Sequence, residues 1–211
     1  ETGEVLAQSN ADQRLPPASL TKMMSSYLVI DELIRGRISE TNMVNISIKA
    51  WKMEGSRMYV KEGTQVPVID LLRGEIIQSG NDACIVVAEG MAGSEDAFAK
   101  LMTEEGQRIG LKKSNFANAT GLQADGHYAS AHDLALLGRR VVHMRAVVQA
   151  DHNIGAIGQL QLHTLLGREL EAALGALGVH LRLISPTFGL YLLLGGCAVV
   201  ALTLPFNLVK F

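Results

Sequence analysis

The chain has 211 residues, which is enough for one domain with a substantial hydrophobic core or for a smaller domain with an appendage. Charged residues make up 19% of it and the formal net charge is -2, so the composition argues against a nucleic-acid-binding surface and against an acidic tail. A neutral or peptide-like partner fits this charge balance better.

The N-terminal part of the chain is predicted to contain a strand, a long helix and a second strand. Residues 4–7 are predicted to form a short strand. A helix is predicted over residues 19–36, because apolar side chains recur at helical spacing between two prolines and a final glycine. Residues 44–48 alternate between apolar and polar side chains, which predicts a half-buried strand.

Four further helices are predicted after that strand. The first covers residues 68–78, and the second, residues 82–91, is almost wholly apolar and is therefore expected to be buried. A third, amphipathic helix opens at Gly93-Ser94 and closes at Gly110. The fourth begins at Ser130-Ala131-His132-Asp133, which has the capping-box pattern, and runs toward His143.

The character of the sequence changes near His143, where charges become sparse and Leu, Ala and Gly begin to dominate. We therefore predict an α/β (α+β) domain over residues 1–143, with a cluster of helices against an antiparallel sheet. Residues 144–211 are predicted to be a separate, unrelated tail.

The tail contains two distinct segments. Residues 159–179 form an amphipathic pattern typical of an ordinary helix. The apolar segment at residues 187–209 lies in a run without charge that is long enough to span a bilayer. Two prolines bracket that run and three glycines loosen it, so a buried hairpin or a tail that does not fold remain alternatives to membrane insertion.

The segment Ser19-Leu20-Thr21-Lys22 is the first candidate for chemistry. At the start of a helix, residues three positions apart project from one face, so the hydroxyl of Ser19 and the amine of Lys22 can approach each other. A lysine that holds a free lone pair can take the serine proton, which is the Ser/Lys form of nucleophile and base. The alternative is a helix cap with an exposed lysine, which is the commoner role of a lone Ser-x-x-Lys.

A second candidate element, Ser79-Gly80-Asn81, lies between two predicted helices. The Ser79 hydroxyl could relay a proton between Lys22 and a leaving amine, and the Asn81 amide could orient the lysine or the substrate backbone. The alternative is that Ser79 and Asn81 only end one helix and cap the next.

These two elements and their surroundings resemble the serine-type D-alanyl-D-alanine carboxypeptidases. These are low-molecular-mass penicillin-binding proteins of the β-lactamase/transpeptidase-like superfamily. The similarity covers about residues 1–143 and is carried by five segments: residues 17–24 (PASLTKMM), 68–74 (VIDLLRG), 77–84 (IQSGNDAC), 119–122 (ATGL) and 126–135 (GHYASAHDLA). The resemblance implies that Ser19 is the acylated nucleophile, Lys22 its base, and Ser79 and Asn81 the second active-site element.

The same resemblance implies a substrate, a fold and a location. The expected substrate is a peptidoglycan stem peptide ending in D-Ala-D-Ala, from which the terminal D-alanine is removed through an acyl-enzyme, and β-lactam antibiotics are the expected acylating inhibitors. The expected fold is a partial β-lactamase/transpeptidase-like fold, in which the helical cluster packs against an incomplete antiparallel sheet. The expected location is the bacterial periplasm or the outer face of the cytoplasmic membrane.

The chain also departs from the family. The family completes its site with a Lys-Thr-Gly strand, and neither Lys-Thr-Gly nor Lys-Ser-Gly occurs in this sequence. We therefore expect impaired activity. The alternatives are a catalytically inactive, truncated or chimeric membrane-associated protein, or a β-lactamase. Ser-Gly-Asn in place of Ser-Asp-Asn and the lack of a deacylating Glu motif argue against a β-lactamase.

No cofactor, metal ion, nucleic acid or disulfide framework is expected. The two cysteines, Cys84 and Cys197, stand in different kinds of sequence, which does not suggest a pairing pattern. The histidines show no i, i+4 pair with a third ligand, so a zinc site is not predicted; they are His127, His132, His143, His152, His163 and His180.

Overall fold

The computed structural model describes residue 5 and residues 7–150, with side chains through residue 144. A 3-10 turn, Ala18–Thr21, leads directly into the first helix. The elements in chain order are α1 (Lys22–Ile34), β1 (Met43–Asn45), α2 (Ile48–Trp51), β2 (Gln65–Pro67), α3 (Val68–Gln78), α4 (Asn81–Ala92), α5 (Glu95–Arg108) and α6 (Ala131–Ala150). The described part is therefore helix-rich, with a small sheet in which β1 and β2 pair antiparallel.

Helix α4 is the centre of the hydrophobic core. Its first eight residues, from Asn81 to Ala88, are all buried, because α3, α5, α2 and β1 surround it. Helix α1 packs against α3, α4 and α6 and buries ten of its thirteen residues. Burial of this apolar surface is the main stabilising term of the fold. It also fixes the start of α1 against the start of α4, where the candidate site residues lie.

Three predicted helices agree closely with the structure. Helix α3 has the predicted bounds, and α4 and α5 differ from prediction by one or two residues. The Ser94 hydroxyl accepts a hydrogen bond from the backbone N–H of Ala97 and so caps α5 at its predicted start. The last helix starts as predicted and continues past His143 to Ala150.

The capping box predicted at the start of α6 is only half formed. The Ser130 hydroxyl accepts from the backbone N–H of Asp133 at 3.1 Å, as the pattern predicts. The Asp133 carboxylate instead accepts from Lys113 N–H at 2.6 Å and from the Ser114 hydroxyl at 2.8 Å. This acidic side chain therefore anchors the preceding loop rather than its own helix.

The strand predicted over residues 44–48 is wrong in its second half. Strand β1 ends at Asn45, and Ile48 begins helix α2 with its side chain 53% exposed. The Ser47 hydroxyl accepts from Ala50 N–H at 3.0 Å, which caps that helix and ends the extended backbone.

Two large aromatic side chains are exposed. Trp51 is 44% exposed and Tyr59 is 77% exposed. The Arg57 guanidinium stacks over the Tyr59 ring, 4.9 Å from its centroid. Tyr59 also has a positive φ of 65°, which costs backbone energy in a residue other than glycine.

Several predictions concern residues outside the described ones. These are most of the strand at residues 4–7, the amphipathic segment at 159–179, the apolar segment at 187–209, and Cys197. Among the described residues, the helices are too short or too polar to cross a bilayer. The predicted division of the chain at residue 143 stays a prediction.

Candidate active site

Ser19 lies in the 3-10 turn that precedes α1. Its side chain is half-buried, and its position at the helix start places the hydroxyl near the positive end of the helix dipole. The residue before it, Ala18, has a positive φ of 48°, a conformation that costs energy outside glycine. Local strain of this kind directly beside a hydroxyl is typical of positions where the surrounding structure holds a reactive group in place.

Lys22 is the first residue of α1 and is only 3% exposed. Its amine Nζ lies 3.3 Å from Ser19 Oγ, 2.9 Å from Asn81 Oδ1 and 2.9 Å from the backbone carbonyl oxygen of Thr120. The structure therefore brings Ser19, Lys22 and Asn81 together, as the sequence predicted. The alternative of an exposed lysine beside a helix cap is excluded.

The orientation of the Asn81 amide follows from its second contact. Its Nδ2 donates to the backbone carbonyl of Glu54 at 2.8 Å, so Oδ1 is the atom that faces Lys22. Gly80, not Asn81, is the N-cap of α4. Asn81 therefore does not cap the helix with its side chain, and its amide serves the buried amine instead.

This set of partners restricts what the Lys22 amine can do. A neutral amine has two N–H donors and one lone pair, whereas an ammonium has three donors and no lone pair. Asn81 Oδ1 and the Thr120 carbonyl oxygen can only accept, so they occupy two N–H groups. In the neutral form the lone pair is left for the Ser19 hydroxyl, and the amine can then take that proton.

The Thr120 carbonyl oxygen is a site atom that side-chain motifs alone did not identify, although it lies in one of the five matching segments. It is held by the close approach of Gly121 to the 3-10 turn that precedes α1. A Cβ on Gly121 would lie 1.8 Å from the Ala18 carbonyl oxygen, and the glycine has a φ of 87°. Only glycine fits this contact, which sets the position of the carbonyl that binds Lys22.

Ser79 is the C-terminal cap of α3 and adopts a left-handed conformation, with a φ of 53°. It is buried, and it stands two residues before Asn81 in the sharp connection between α3 and α4. Within the part of the chain that the structure describes, its side chain makes no hydrogen bond to Ser19, Lys22 or Asn81. The structure thus places Ser79 close to Asn81 along the chain, without a side-chain hydrogen bond to the cluster.

The loop before β2 is tied to the start of α4. The Asp82 carboxylate accepts from the backbone N–H groups of Met58 at 2.9 Å and Val60 at 3.1 Å, and Asn81 N–H donates to the Ser56 carbonyl at 2.7 Å. These bonds account for the burial of Asp82 and hold residues 54–60 along one side of the site.

The His127 side chain joins two segments next to the site. Its Nδ1 accepts from Ala117 N–H at 2.9 Å, so the ring proton of the neutral form is on Nε2, which donates to Thr21 Oγ1 at 2.8 Å. Burial lowers the pKa of His127, which keeps the ring neutral. His127 therefore ties the Ala117 loop to the residue directly before Lys22.

We expect His127→Ala to lower the free energy of unfolding by about 2–4 kcal/mol at pH 7.5, because it leaves Thr21 and the Ala117 N–H without partners. Since the folded-state pKa of His127 is below its unfolded value, the wild-type stability from this residue is complete above the unfolded pKa and declines as pH falls through that value. The difference between wild type and variant should therefore shrink at pH 5.5.

Urea denaturation at pH 7.5 and 5.5 measures this difference. His132→Ala is the matched control, because the His132 side chain is 65% exposed. An equal loss of stability for His127→Ala at both pH values would contradict the neutral buried ring.

Among the residues that the structure describes, no group of three or more His, Cys, Asp or Glu side chains could hold a metal ion. His127 and His132, considered above as ligands, instead contact Thr21 and Asp12. The groups that the structure brings together at the described site are a hydroxyl, an amine, a side-chain amide and a backbone carbonyl.

Comparison with known proteins gives a consistent result. A family model described as D-alanyl-D-alanine carboxypeptidase matches residues 1–154. The D-alanyl-D-alanine carboxypeptidase DacA of Escherichia coli K12 is 47% identical over 147 residues, which cover 67% of this chain and 36% of that protein. The crystal structure of the D-alanyl-D-alanine carboxypeptidase DacD from Francisella tularensis superposes with a TM-score of 0.66 at 43% identity, covering 67% of this chain and 34% of that one.

A third similar protein is penicillin-binding protein D2 from Listeria monocytogenes, whose structure was solved in an ampicillin-bound form. It superposes with a TM-score of 0.61 at 26% identity, covering 70% of this chain and 60% of that one. The chain belongs to the D-alanyl-D-alanine carboxypeptidase family, and its described part has the fold of the matching portion of these penicillin-binding proteins. It spans little more than a third of the length of the curated relatives that it matches.

Proposed function

We propose that this member of the D-alanyl-D-alanine carboxypeptidase family carries the nucleophile and base of a serine acyl-transfer site. The observation that carries the proposal is the geometry around Lys22: its Nζ lies 2.9 Å from two fixed acceptors and 3.3 Å from Ser19 Oγ. In the neutral form of the amine, the two acceptors would occupy its N–H groups and its lone pair would be left for the Ser19 hydroxyl. The proposed substrate is a peptidoglycan stem peptide that ends in D-Ala-D-Ala.

The proposed reaction has two steps. Lys22 takes the proton of Ser19 while Oγ bonds to the carbonyl carbon of the penultimate D-alanine. The C–N bond then breaks, and the terminal D-alanine leaves as its amine gains the proton. In the second step water attacks the ester carbonyl, and the ester oxygen regains a proton as Ser19 is released.

Ser79 and Asn81 are proposed as the second element of this site. Asn81 orients the Lys22 amine through Oδ1. Ser79, which lies two residues away at the end of α3, is proposed to relay the proton from Lys22 to the leaving amine. That relay requires the Ser79 hydroxyl to reach the substrate nitrogen when the substrate is bound, since hydrogen bonds in a free site are often completed only in the complex.

The partners and location follow from this substrate. β-Lactams are proposed as acylating inhibitors, with support from the ampicillin-bound relative. Because peptidoglycan lies outside the cytoplasmic membrane, the proposed site of action is the bacterial cell envelope, in the periplasm or at the outer face of that membrane. The uncharged tail run could add membrane association.

The absence of Lys-Thr-Gly from these 211 residues favours a second candidate. According to this second candidate, the chain is an inactive, truncated or chimeric form of the family, with a partial transpeptidase-like fold and a membrane-associated tail. The two candidates share Ser19 and Lys22 and differ in turnover, so acylation and turnover have to be measured separately. A β-lactamase has less support, because the chain has Ser-Gly-Asn in place of Ser-Asp-Asn and lacks a deacylating Glu motif.

We expect a fluorescent penicillin to label Ser19 and no other residue, because Ser19 alone among the described serines combines a position before a helix with a buried amine at 3.3 Å. Ser19→Ala and Lys22→Met should remove the label, whereas Ser79→Ala should slow it without moving it. Mass spectrometry of the digested protein identifies the labelled residue. Label on Ser79, label that survives Ser19→Ala, or no label on the wild-type chain would each contradict the assignment.

A further inference from the structure

The loop of residues 116–122, which carries the Thr120 carbonyl, is held largely by side chains. Six of its backbone N–H groups donate to side-chain atoms of the described residues. The accepting side chains are those of Thr103, His127, Glu95, Asn118 and Thr120. In such a loop the side chains, and not a regular ladder of backbone bonds, determine where each peptide group points.

The Asn118 side chain makes more of these contacts than any other side chain of the loop. Its Oδ1 accepts from Gly121 N–H at 2.8 Å, from Thr120 N–H at 3.2 Å and from the Thr120 hydroxyl at 3.3 Å. Its Nδ2 donates to the Leu122 carbonyl at 2.8 Å, which fixes the orientation of the amide. The mechanism described above does not use Asn118.

One of these bonds is made to the peptide group that contacts Lys22. The Gly121 N–H and the Thr120 carbonyl belong to the same planar trans peptide group, so they point in opposite directions. Asn118 Oδ1 lies 2.8 Å from the nitrogen on one side, and Lys22 Nζ lies 2.9 Å from the oxygen on the other. The position of Oδ1 therefore sets the direction in which the carbonyl oxygen points.

The bond from Asn118 also makes that carbonyl a better acceptor. Hydrogen bonds in a chain polarise one another, and here the chain runs from Lys22 through the Thr120–Gly121 peptide group to Asn118 Oδ1. Lys22 is only 3% exposed. A displaced carbonyl would leave one of its buried N–H groups without an acceptor.

A second anchor holds the loop just before this peptide group. Glu95, the first residue of α5, accepts from Ala119 N–H at 3.2 Å through Oε1 and pairs with Lys49 at 2.7 Å through Oε2. Ala119 itself is fully buried. The loop is thus fixed at Ala119, and the contact from Asn118 orients the peptide group that follows Thr120.

We propose that Asn118 is a positioning residue for Lys22, which acts through the Thr120–Gly121 peptide group. By fixing the carbonyl oxygen, Asn118 keeps one N–H of the Lys22 amine occupied and the amine 3.3 Å from Ser19 Oγ. Its effect on acylation rests on the function proposed above. The orientation of the peptide group does not.

The rate of penicillin labelling at saturating penicillin measures the effect on acylation. Asn118→Ala should lower this limiting rate by about tenfold to a hundredfold, because displacement of a reacting group by about 1 Å costs up to about a hundredfold. The penicillin concentration that gives half of the limiting rate should stay within about twofold of the wild-type value. Loss of the limiting rate alone separates misplacement of the base from a general loss of binding.

Two further variants test whether the Oδ1 contact is responsible. Asn118→Asp keeps an oxygen that accepts from Gly121 N–H and loses the donor to Leu122, so it should restore the limiting rate to within about threefold of the wild type. Asn115→Ala is the matched control. It removes a half-buried asparagine of the same segment that donates to the Gly126 carbonyl at 2.7 Å, and it should leave the rate unchanged.

Nuclear magnetic resonance of the full chain tests the positioning without any labelling. The Gly121 amide should exchange with solvent about tenfold faster in Asn118→Ala, because its acceptor is gone. The 13Cε signal of Lys22, which Lys22→Met identifies, should change its chemical shift in Asn118→Ala and not in Asn115→Ala. If the wild-type chain is never labelled while both signals respond in this way, the proposed function fails and the positioning stands.

The proposal is overturned if labelling occurs and Asn118→Ala has the wild-type limiting rate, or if Asn115→Ala is slowed equally. A rate for Asn118→Asp as low as that of Asn118→Ala would also contradict it. Asn118→Ser serves if the alanine variant does not fold, since a serine hydroxyl can accept from one of these N–H groups. Its limiting rate should lie at least about threefold below the wild-type rate, and an equal rate would again overturn the proposal.

Discussion

A chimera that joins this chain to a family C-terminal half containing Lys-Thr-Gly is expected to release D-alanine at least a hundredfold faster than the 211-residue chain. Loss of one oxyanion donor alone costs about a hundredfold to a thousandfold in rate. The family resemblance implies that a Lys-Thr-Gly strand supplies such a donor and the group that binds the substrate carboxylate. It also implies that this strand helps to hold Ser19 and Lys22 to within about half an ångström of the productive geometry.

The structure determines where the junction should be placed. Helix α6 continues to Ala150, and the family match extends to residue 154, so joining the two parts after Ala150 keeps the helix intact. The measurement is D-alanine release from a Lys-D-Ala-D-Ala peptide. The same chimera with Ser19→Ala is the control for background hydrolysis. Comparable turnover by chimera and wild-type chain would show that another part of the chain supplies the missing groups.

The helices were the most predictable part of this fold. Helix α3 has the predicted bounds, and its end could be predicted because Ser79-Gly80 interrupts the helix, which is a local signal. The strand predicted through Ile48 failed for an equally local reason. Ser47 caps a helix with its side chain, and that bond outweighs the alternation of apolar residues.

The side chains of the candidate site could be predicted from sequence motifs, but its backbone contact could not. Ser19, Lys22 and Asn81 were identified from spacing and family resemblance, and the structure brings them into contact. The Thr120 carbonyl oxygen was missed, because any residue has a backbone carbonyl and only the tertiary fold determines which one meets Lys22.

The burial of Glu75, which lies on α3 and is 1% exposed, was missed for a different reason. A glutamate in an amphipathic helix is normally assigned to the solvent-facing side, and periodicity within α3 does not reveal that α1 and α4 cover both flanks of the helix. Its burial depends on how α1, α3 and α4 are arranged in space, and the residues near Glu75 in the sequence do not reveal that arrangement.

The burial of Glu75 should make the folded state less stable as pH rises. A carboxyl group whose folded-state pKa is raised from 4.5 to about 8 holds a proton in that interval that the unfolded chain has released. The free energy of unfolding therefore falls by about 1.4 kcal/mol per pH unit between these values, and by about 5 kcal/mol in all. This loss adds to the cost of burying Oε2, which has no hydrogen-bond partner among the residues that the structure describes.

Glu75→Met should remove this dependence, because methionine has a similar length, no charge and no unsatisfied oxygen. We expect the variant to exceed the wild type in free energy of unfolding by about 5 kcal/mol or more at pH 8, and by much less at pH 5. Urea denaturation across pH 5–8.5 measures both proteins, and Glu89→Met provides the control for loss of a partly exposed carboxylate. Because the desolvation cost belongs to the ionised form, parallel stability curves for Glu75→Met and the wild type would mean that Glu75 is ionised throughout this range and that water or another group already compensates its charge.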